Sequence, residues 1–233
     1  MNIIKCEGCP VRERTPFADL EPDLLDMIDG AKKTRKYQRG QVLFYEDNAV
    51  FGLHCIHAGK VKLYKTTPEG KRLTLRIADP GDQLGHLALF TEQPYSATSE
   101  VLEDSTVCFI DRKAIPALMA KSPATTWAII HSLAAELASA RNRATDIAYR
   151  SVRERIAGML LRLKARYGKA ENHGVRLDIV LSREDLAEIV GTTKETLVRV
   201  LSDFRQEQII RDIGQNLLLL SPEKLAKIAG YLD

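Results

Sequence analysis

Hydrophobic positions along this chain repeat with more than one period. From about Lys36 to Arg112, short apolar runs follow glycines: QVLFY after Gly40, VKLYK after Gly59, RLTLRIA after Gly70, and TVCFI further on. Runs of this length, rich in β-branched and aromatic residues, predict antiparallel strands of a barrel or roll. From Pro123 to Tyr149 the period turns helical. Ile130, Leu133, Leu137, Ala140, Ala144 and Ile147 step by three and four, the seam of a helix spanning about 40 Å at about 1.5 Å per residue.

A third pattern lies in LSREDLAEIVGTTKETLVRVLSDF, residues 181–204. Ser182 can cap a helix whose inward face is Leu186, Ala187 and Val190, and the small Ala187 permits a close helix crossing. Gly191 makes a turn. Thr192 or Thr193 then opens a second helix, with Leu197, Val200, Leu201 and Phe204 on one face and Lys194, Glu195, Val198, Arg199 and Ser202 on the other. This is helix-turn-helix spacing, and the polar face carries the donors and acceptors that base edges require. Thr192-x-x-Glu195 also fits a capping box, in which the carboxylate would serve only the backbone. Downstream, Ile209, Ile210 and Ile213 lead to Gly214-Gln215-Asn216 and then Leu217 to Leu220, a β-hairpin placed as a wing. An ordinary helical hairpin in an enzyme would also show Ala and Gly at a tight crossing.

The expected fold is α+β, divided into an N-terminal segment (1–22), a β-roll (23–122), a long helix (123–150) and a winged helix-turn-helix (151–233). The 233 residues suffice for two cores, and 45% apolar with 28% charged is ordinary for a globular chain. No apolar run approaches membrane length, and the start lacks a signal-peptide pattern, so the cytoplasm is the expected location. The net charge of +3 is too small to argue for nucleic acid. Its distribution says more: between Arg141 and Arg166 there are eight basic residues against two acidic ones, a run that fits either a solvated helix face or phosphate contact. No Ser-His-Asp, Walker, GxGxxG or HExxH pattern is present, which argues against an enzyme. The helical seam favours self-association, because a helix-turn-helix dimer reads half-sites about 34 Å apart.

The order of β-roll, long helix and winged helix-turn-helix resembles the Crp/Fnr family of bacterial transcription regulators over nearly the whole chain. Local motifs carry the resemblance: Arg39-Gly40-Gln41, a hairpin at Gly59-Lys60-Val61-Lys62-Leu63, Pro80-Gly81-Asp82, Val152 to Ala157, and Lys194-Glu195-Thr196-Leu197-Val198-Arg199. The resemblance implies a homodimer that binds a palindromic site on double-stranded DNA and acts on RNA polymerase. Glu195 would accept from cytosine and Arg199 donate to guanine. Lys194 stands where the cyclic-AMP receptor branch has Arg, and Val198 where the Fnr branch has Ser. Thr193, Ser182 and Ser202 complete the expected DNA-binding set.

In the expected effector pocket, Gly85, His86, Tyr95, Ser96, Ala140 and Arg141 align with the family's nucleotide-binding positions. His86 replaces a Glu for the ribose, Tyr95 an Arg for the phosphate, and Ala140-Arg141 a Thr-Ser pair, which argues against cyclic AMP. The cysteines imply other chemistry. Cys6-x-x-Cys9 resembles the first cluster ligands of the oxygen sensor Fnr, and Cys108 its distant ligand, while the third position is Thr15. A four-thiolate iron-sulfur cluster would need Cys55 or a carboxylate such as Glu13 to complete it. A disulfide or zinc pair at CxxC, haem on His86, and plain core packing of Cys55 and Cys108 are the other readings. From another functional class, the chain would be a cofactor-bearing redox or gas-binding protein whose C-terminal domain docks a protein.

Overall fold

A computed structural model describes residues 4–231. It divides into two compact units, residues 1–67 with 75–140 and residues 68–74 with 141–233.

In the first unit, helix α1 (Pro22–Ala31) opens with Pro22, which supplies a helical φ where no N–H is needed. It buries Leu24, Leu25 and Ile28 and runs directly into β1 (Lys32–Tyr37). Then follow β2 (Val42–Phe44), β3 (Gly52–Thr66), β4 (Arg72–Ala78), β5 (Gln83–Leu84), helix α2 (His86–Thr91), β6 (Thr98–Asp111) and helix α3 (Ala114–Lys121). The sheet order is β1-β6-β3-β4, with β2 paired to β6 and β5 to β3, all antiparallel where registered. This is the roll that the β-type runs predict.

The period-2 alternation of the long strands separates two cores. Leu53, Cys55, Cys108 and Ile110 pack with Phe17, Leu20, Ile28 and Leu118 on one side. Ile56, Val61, Val101 and Val107 pack with Phe44, Leu84 and Tyr95 on the other. Gly59 departs from the expected hairpin: it lies within the 15-residue β3, where the register against β6 shifts between Ile56 and Val61. Its φ of +88° fits a bulge, and a Cβ there would lie 2.1 Å from Ser105 Oγ. The glycine therefore admits a close strand approach rather than a reversal.

Helix α4 (Pro123–Tyr149) has the bounds that the periodicity predicts. Its seam is open: Ile130, Leu137 and Ile147 are 45–53% exposed, Ala140 and Ala144 are exposed, and Leu133 is half-buried.

The second unit contains α5 (Val152–Tyr167), β7 (Gly168–Glu171), β8 (Gly174–Leu177), α6 (Arg183–Val190), α7 (Lys194–Gln206), β9 (Ile210–Ile213), β10 (Asn216–Leu219) and α8 (Pro222–Ile228). A capping box between Ser151 and Glu154 starts α5. The wing hairpin of β9 and β10 forms as expected. Beyond the sequence reading, β7 and β8 extend it to a four-stranded sheet ordered β7-β8-β10-β9. Phe204, Leu197, Leu201 and Leu219 are fully buried in the core beneath α7.

Candidate nucleic-acid interface and sensor residues

The helix-turn-helix is positioned by caps written into the local sequence. Ser182 Oγ accepts the Asp185 N–H at 3.0 Å, and the Asp185 carboxylate accepts the Ser182 N–H at 3.0 Å and its hydroxyl at 2.7 Å. Gly191 ends α6 in the left-handed region, at φ 73°, with its N–H donating to Ala187 O. Of the two threonines, Thr193 caps α7, accepting the Thr196 N–H at 3.3 Å. The Thr192–Glu195 box therefore does not form, and the Glu195 carboxylate makes no hydrogen bond among the described residues. Glu195, Val198 and Arg199 are exposed on the helix face opposite Leu197, Val200, Leu201 and Phe204. Lys194 is exposed too, but it pairs with Glu184 of α6, which raises the lysine pKa and lowers that of the carboxyl. Ser202 is half-buried.

The basic run ahead of this motif proves to be largely structural. Arg155 donates to Val190 O at 3.3 Å and Gly191 O at 3.4 Å, the carbonyls left open at the end of α6, and to Arg150 O at 2.9 Å. It is a clamp on the turn that sequence reasoning missed, since nothing in its neighbourhood specifies a partner more than thirty residues away. Arg153 lies 4.6 Å from the Phe204 ring centroid and pairs with Glu207 at 2.7 Å. Arg150 pairs with Asp146 at 2.9 Å and faces the Tyr231 ring, and Arg162 also reaches Asp146.

The positions expected to form an effector pocket lie in different surroundings. Gly85, left-handed at φ 86°, precedes α2. The His86 side chain is 6% exposed, and its Nε2 lies 3.0 Å from Glu136 Oε2 on α4. Arg76 reaches the same oxygen at 3.1 Å and Asp82 at 3.0 Å. The hydrogen bond from His86, with Arg76 beside it, holds the Glu136 pKa below its ordinary value against the effect of burial. Haem ligation through Nε2 would have to break this pair, and Nδ1 is buried. Tyr95 does not enter this network. It stacks on Phe44 with ring centroids 3.8 Å apart, and burial pushes its phenol up to about 12. Ser96, Ala140 and Arg141 are exposed.

The cysteines, in contrast, are drawn together. Cys55 and Cys108 are cross-strand partners on β3 and β6, in the apolar cluster against which Cys6 packs. The Cys55 thiol is fully buried, which raises its pKa, and it also feels Cys108, Cys6 and Cys9 electrostatically. Cys9 Sγ lies 3.5 Å from His57 Nδ1. Lys32 Nζ donates to Cys6 Sγ at 2.9 Å and to Asp29 at 2.5 Å. Burial nevertheless dominates at Cys6 and pushes its thiol up to about 11. Thr15 is committed elsewhere: its hydroxyl donates to Arg12 O at 2.7 Å and accepts from the Phe17 N–H. Among the described residues, no three His, Cys, Asp or Glu side chains come together as a single-ion site.

The chain matches the cyclic nucleotide-binding domain family over residues 34–122 and the Crp-like helix-turn-helix domain family over residues 154–228. It is 30% identical over 200 residues to the cyclic AMP receptor protein of Thermus thermophilus, covering 84% of this chain and 87% of that one. It is 29% identical over 213 residues to the CRP-like cAMP-activated global transcriptional regulator of Mycobacterium tuberculosis, covering 91% and 95%. In fold it is similar to FixK2 from Bradyrhizobium japonicum, with a TM-score of 0.75 and 22% identity over 84% of this chain and 96% of the other.

Proposed function

Because the chain belongs to the Crp/Fnr family and is a DNA-binding transcription regulator rather than an enzyme, we propose that its regulatory input is redox chemistry at Cys6, Cys9, Cys55 and Cys108. The observation that carries this reading is the pairing of Cys55 with Cys108 across β3 and β6, in the apolar cluster against which Cys6 packs, with Cys9 within electrostatic reach of Cys55.

A single tetrahedral ion at about 2.3 Å from each sulfur needs thiolates about 3.8 Å apart, a spacing that the described residues do not offer. An iron-sulfur cluster has the same four-thiolate requirement over a wider span. The four thiols match that donor count, with Cys55 in the role that Thr15 cannot fill. Bound there, the cluster would supply a centre that gains or loses electrons or reacts with oxygen. Lys32 would offset thiolate charge at Cys6, and Asp29 would hold the Lys32 ammonium in place. Phe17, Leu25 and Ile28 would limit water access. Cyclic AMP is a poor fit, since Tyr95 stands where the resemblance puts the Arg for the phosphate, and His86, at the ribose position, is already paired with Glu136.

On the output side, Glu195 and Arg199 read bases, Val198 offers an apolar contact, and Lys194, Thr193, Ser182 and Ser202 flank them on the DNA side. The open stripe from Ile130 to Ile147 supports pairing of two copies through α4, and thus a palindromic site. RNA polymerase is the further partner implied by the family, and the cytoplasm the location. Among the described residues no helix is long and apolar enough to cross a membrane.

The test is purification without oxygen, followed by an absorption spectrum and counts of iron and acid-labile sulfide per chain. A broad visible absorption with both elements is expected, lost in Cys55→Ser as in Cys108→Ser but retained in Thr15→Val. A colourless, metal-free protein that binds a palindrome would reject the cluster and keep the regulator. Titration of random duplex with salt checks the output separately, because DNA binding must weaken steeply as salt rises.

A further inference from the structure

On β3 and β6, the neighbours of the two buried cysteines point the other way. His54 and Phe109 are cross-strand partners, and they help line a cavity of about 580 Å³ that also involves Phe44, Phe51, Tyr95 and Arg35. It shares only Tyr95 with the effector positions implied by the family resemblance. Its volume lies within the range of small-molecule sites.

Its chemistry is specific. The Phe44 and Tyr95 rings are stacked, and the His54 centroid lies 5.2 Å from Phe44 and 5.1 Å from Phe109. Phe51 is 67% and Tyr45 58% exposed at its edge. His54 is only 7% exposed, yet its Nδ1 has no hydrogen-bond partner among the described residues. Burial holds its pKa down near 4, so the ring is neutral at physiological pH and retains one donor and one acceptor nitrogen. Lys33 and Arg35 are exposed cations on β1, and no acidic side chain lines the cavity.

We infer that this cavity binds a small aromatic carboxylate. Its ring lies among Phe44, Tyr95 and Phe109, its carboxylate is held by Arg35 with Lys33 nearby, and a polar edge meets the open nitrogen of His54. Aromatic faces accept a flat ring in offset or tilted contact, and a guanidinium pairs with a carboxylate through two parallel hydrogen bonds. The inference does not depend on the cysteine site, which lies on the opposite face of the same strands.

The probe is 2-naphthoate, titrated into the full chain and followed by its own fluorescence and by calorimetry. Saturable binding of one molecule per chain is expected, weakened about tenfold or more in Arg35→Gln and for the uncharged amide of the same ring system. Arg35 is exposed, so this variant should keep its thermal midpoint; His54, whose replacement would disturb packing, is followed instead by the nitrogen resonances of its ring, which should shift on binding. No saturation below about 1 mM, equal affinity in Arg35→Gln, or an unmoved His54 ring would each overturn the inference.

Discussion

The reading helix and the sensor roll use side chains in opposite ways. On α7, the Glu195 and Arg199 side chains stand exposed with no hydrogen bond among the described residues, while the helix beneath them is fixed by a cap, a left-handed glycine and a buried apolar face. In the roll, the chemically active groups face inward and largely satisfy one another: His86 with Glu136 and Arg76, Lys32 with Cys6 and Asp29. A reader must keep its polar atoms available for a partner, so its precision comes from the scaffold. A sensor can hold its groups in self-contained networks, so that a signal acts by disturbing a balance already present.

The comparison can be broken from either side. The largest effect should come from the scaffold of the reader: Phe204→Ala removes a fully buried ring and should cost about 3–5 kcal/mol, measured as a lowered urea midpoint for the C-terminal unit. An unchanged midpoint would mean that α7 is not held by this core. Next, Arg199→Ala should lose about 1–3 kcal/mol at a cognate half-site and little on random duplex. Equal losses on both DNAs in a fluorescence-anisotropy titration would remove Arg199 from the reading role.

Ser182→Ala should destabilise the reader by about 1 kcal/mol through loss of its cap, with a further loss of DNA affinity from its flanking position; a normal melting curve with weakened binding would remove the cap and leave Ser182 as a contact only. The smallest effect belongs to the roll. The Glu136 pKa lies below its ordinary 4.5, so its interaction stabilises fully above that value and is lost as pH falls through the lower, folded value. Glu136→Gln should therefore cost about 0.5–1 kcal/mol near pH 7, allowing for solvent screening of a carboxylate about a third exposed. The gap from the unaltered protein should close as pH falls below 4.5; a gap that stayed constant with pH would assign the loss to packing.

Much of the reader was legible because its determinants are local. Ser182, Gly191 and the Leu197–Phe204 spacing act within one or two helical turns, and the hairpin after α7 announces itself by its turn residues. Thr193, not Thr192, proved to be the cap, a one-residue choice that freed Glu195. The basic run was legible only as charge. Its arginines find Val190, Gly191, Asp146 and Glu207 through folding, and no spacing rule predicts those partners. In the roll, the strand runs were visible but their joining was not: Gly59 reads as a turn until β6 supplies the partner that makes it a bulge.

The sequence by itself determined the order of strand-rich roll, long helix, helix-turn-helix and wing, and the face of α7 that stays polar, because period, caps and turn chemistry are properties of near neighbours. Tertiary structure alone decided what the roll can hold. It set Cys55 opposite Cys108, packed Cys6 against them and put Cys9 beside His57. It committed Thr15 to a turn, and it left His54 with an open nitrogen among aromatic rings. Strand register and core packing join residues far apart in the chain, and a change of one position in register would have turned Cys55, Cys108 and His54 to the other face.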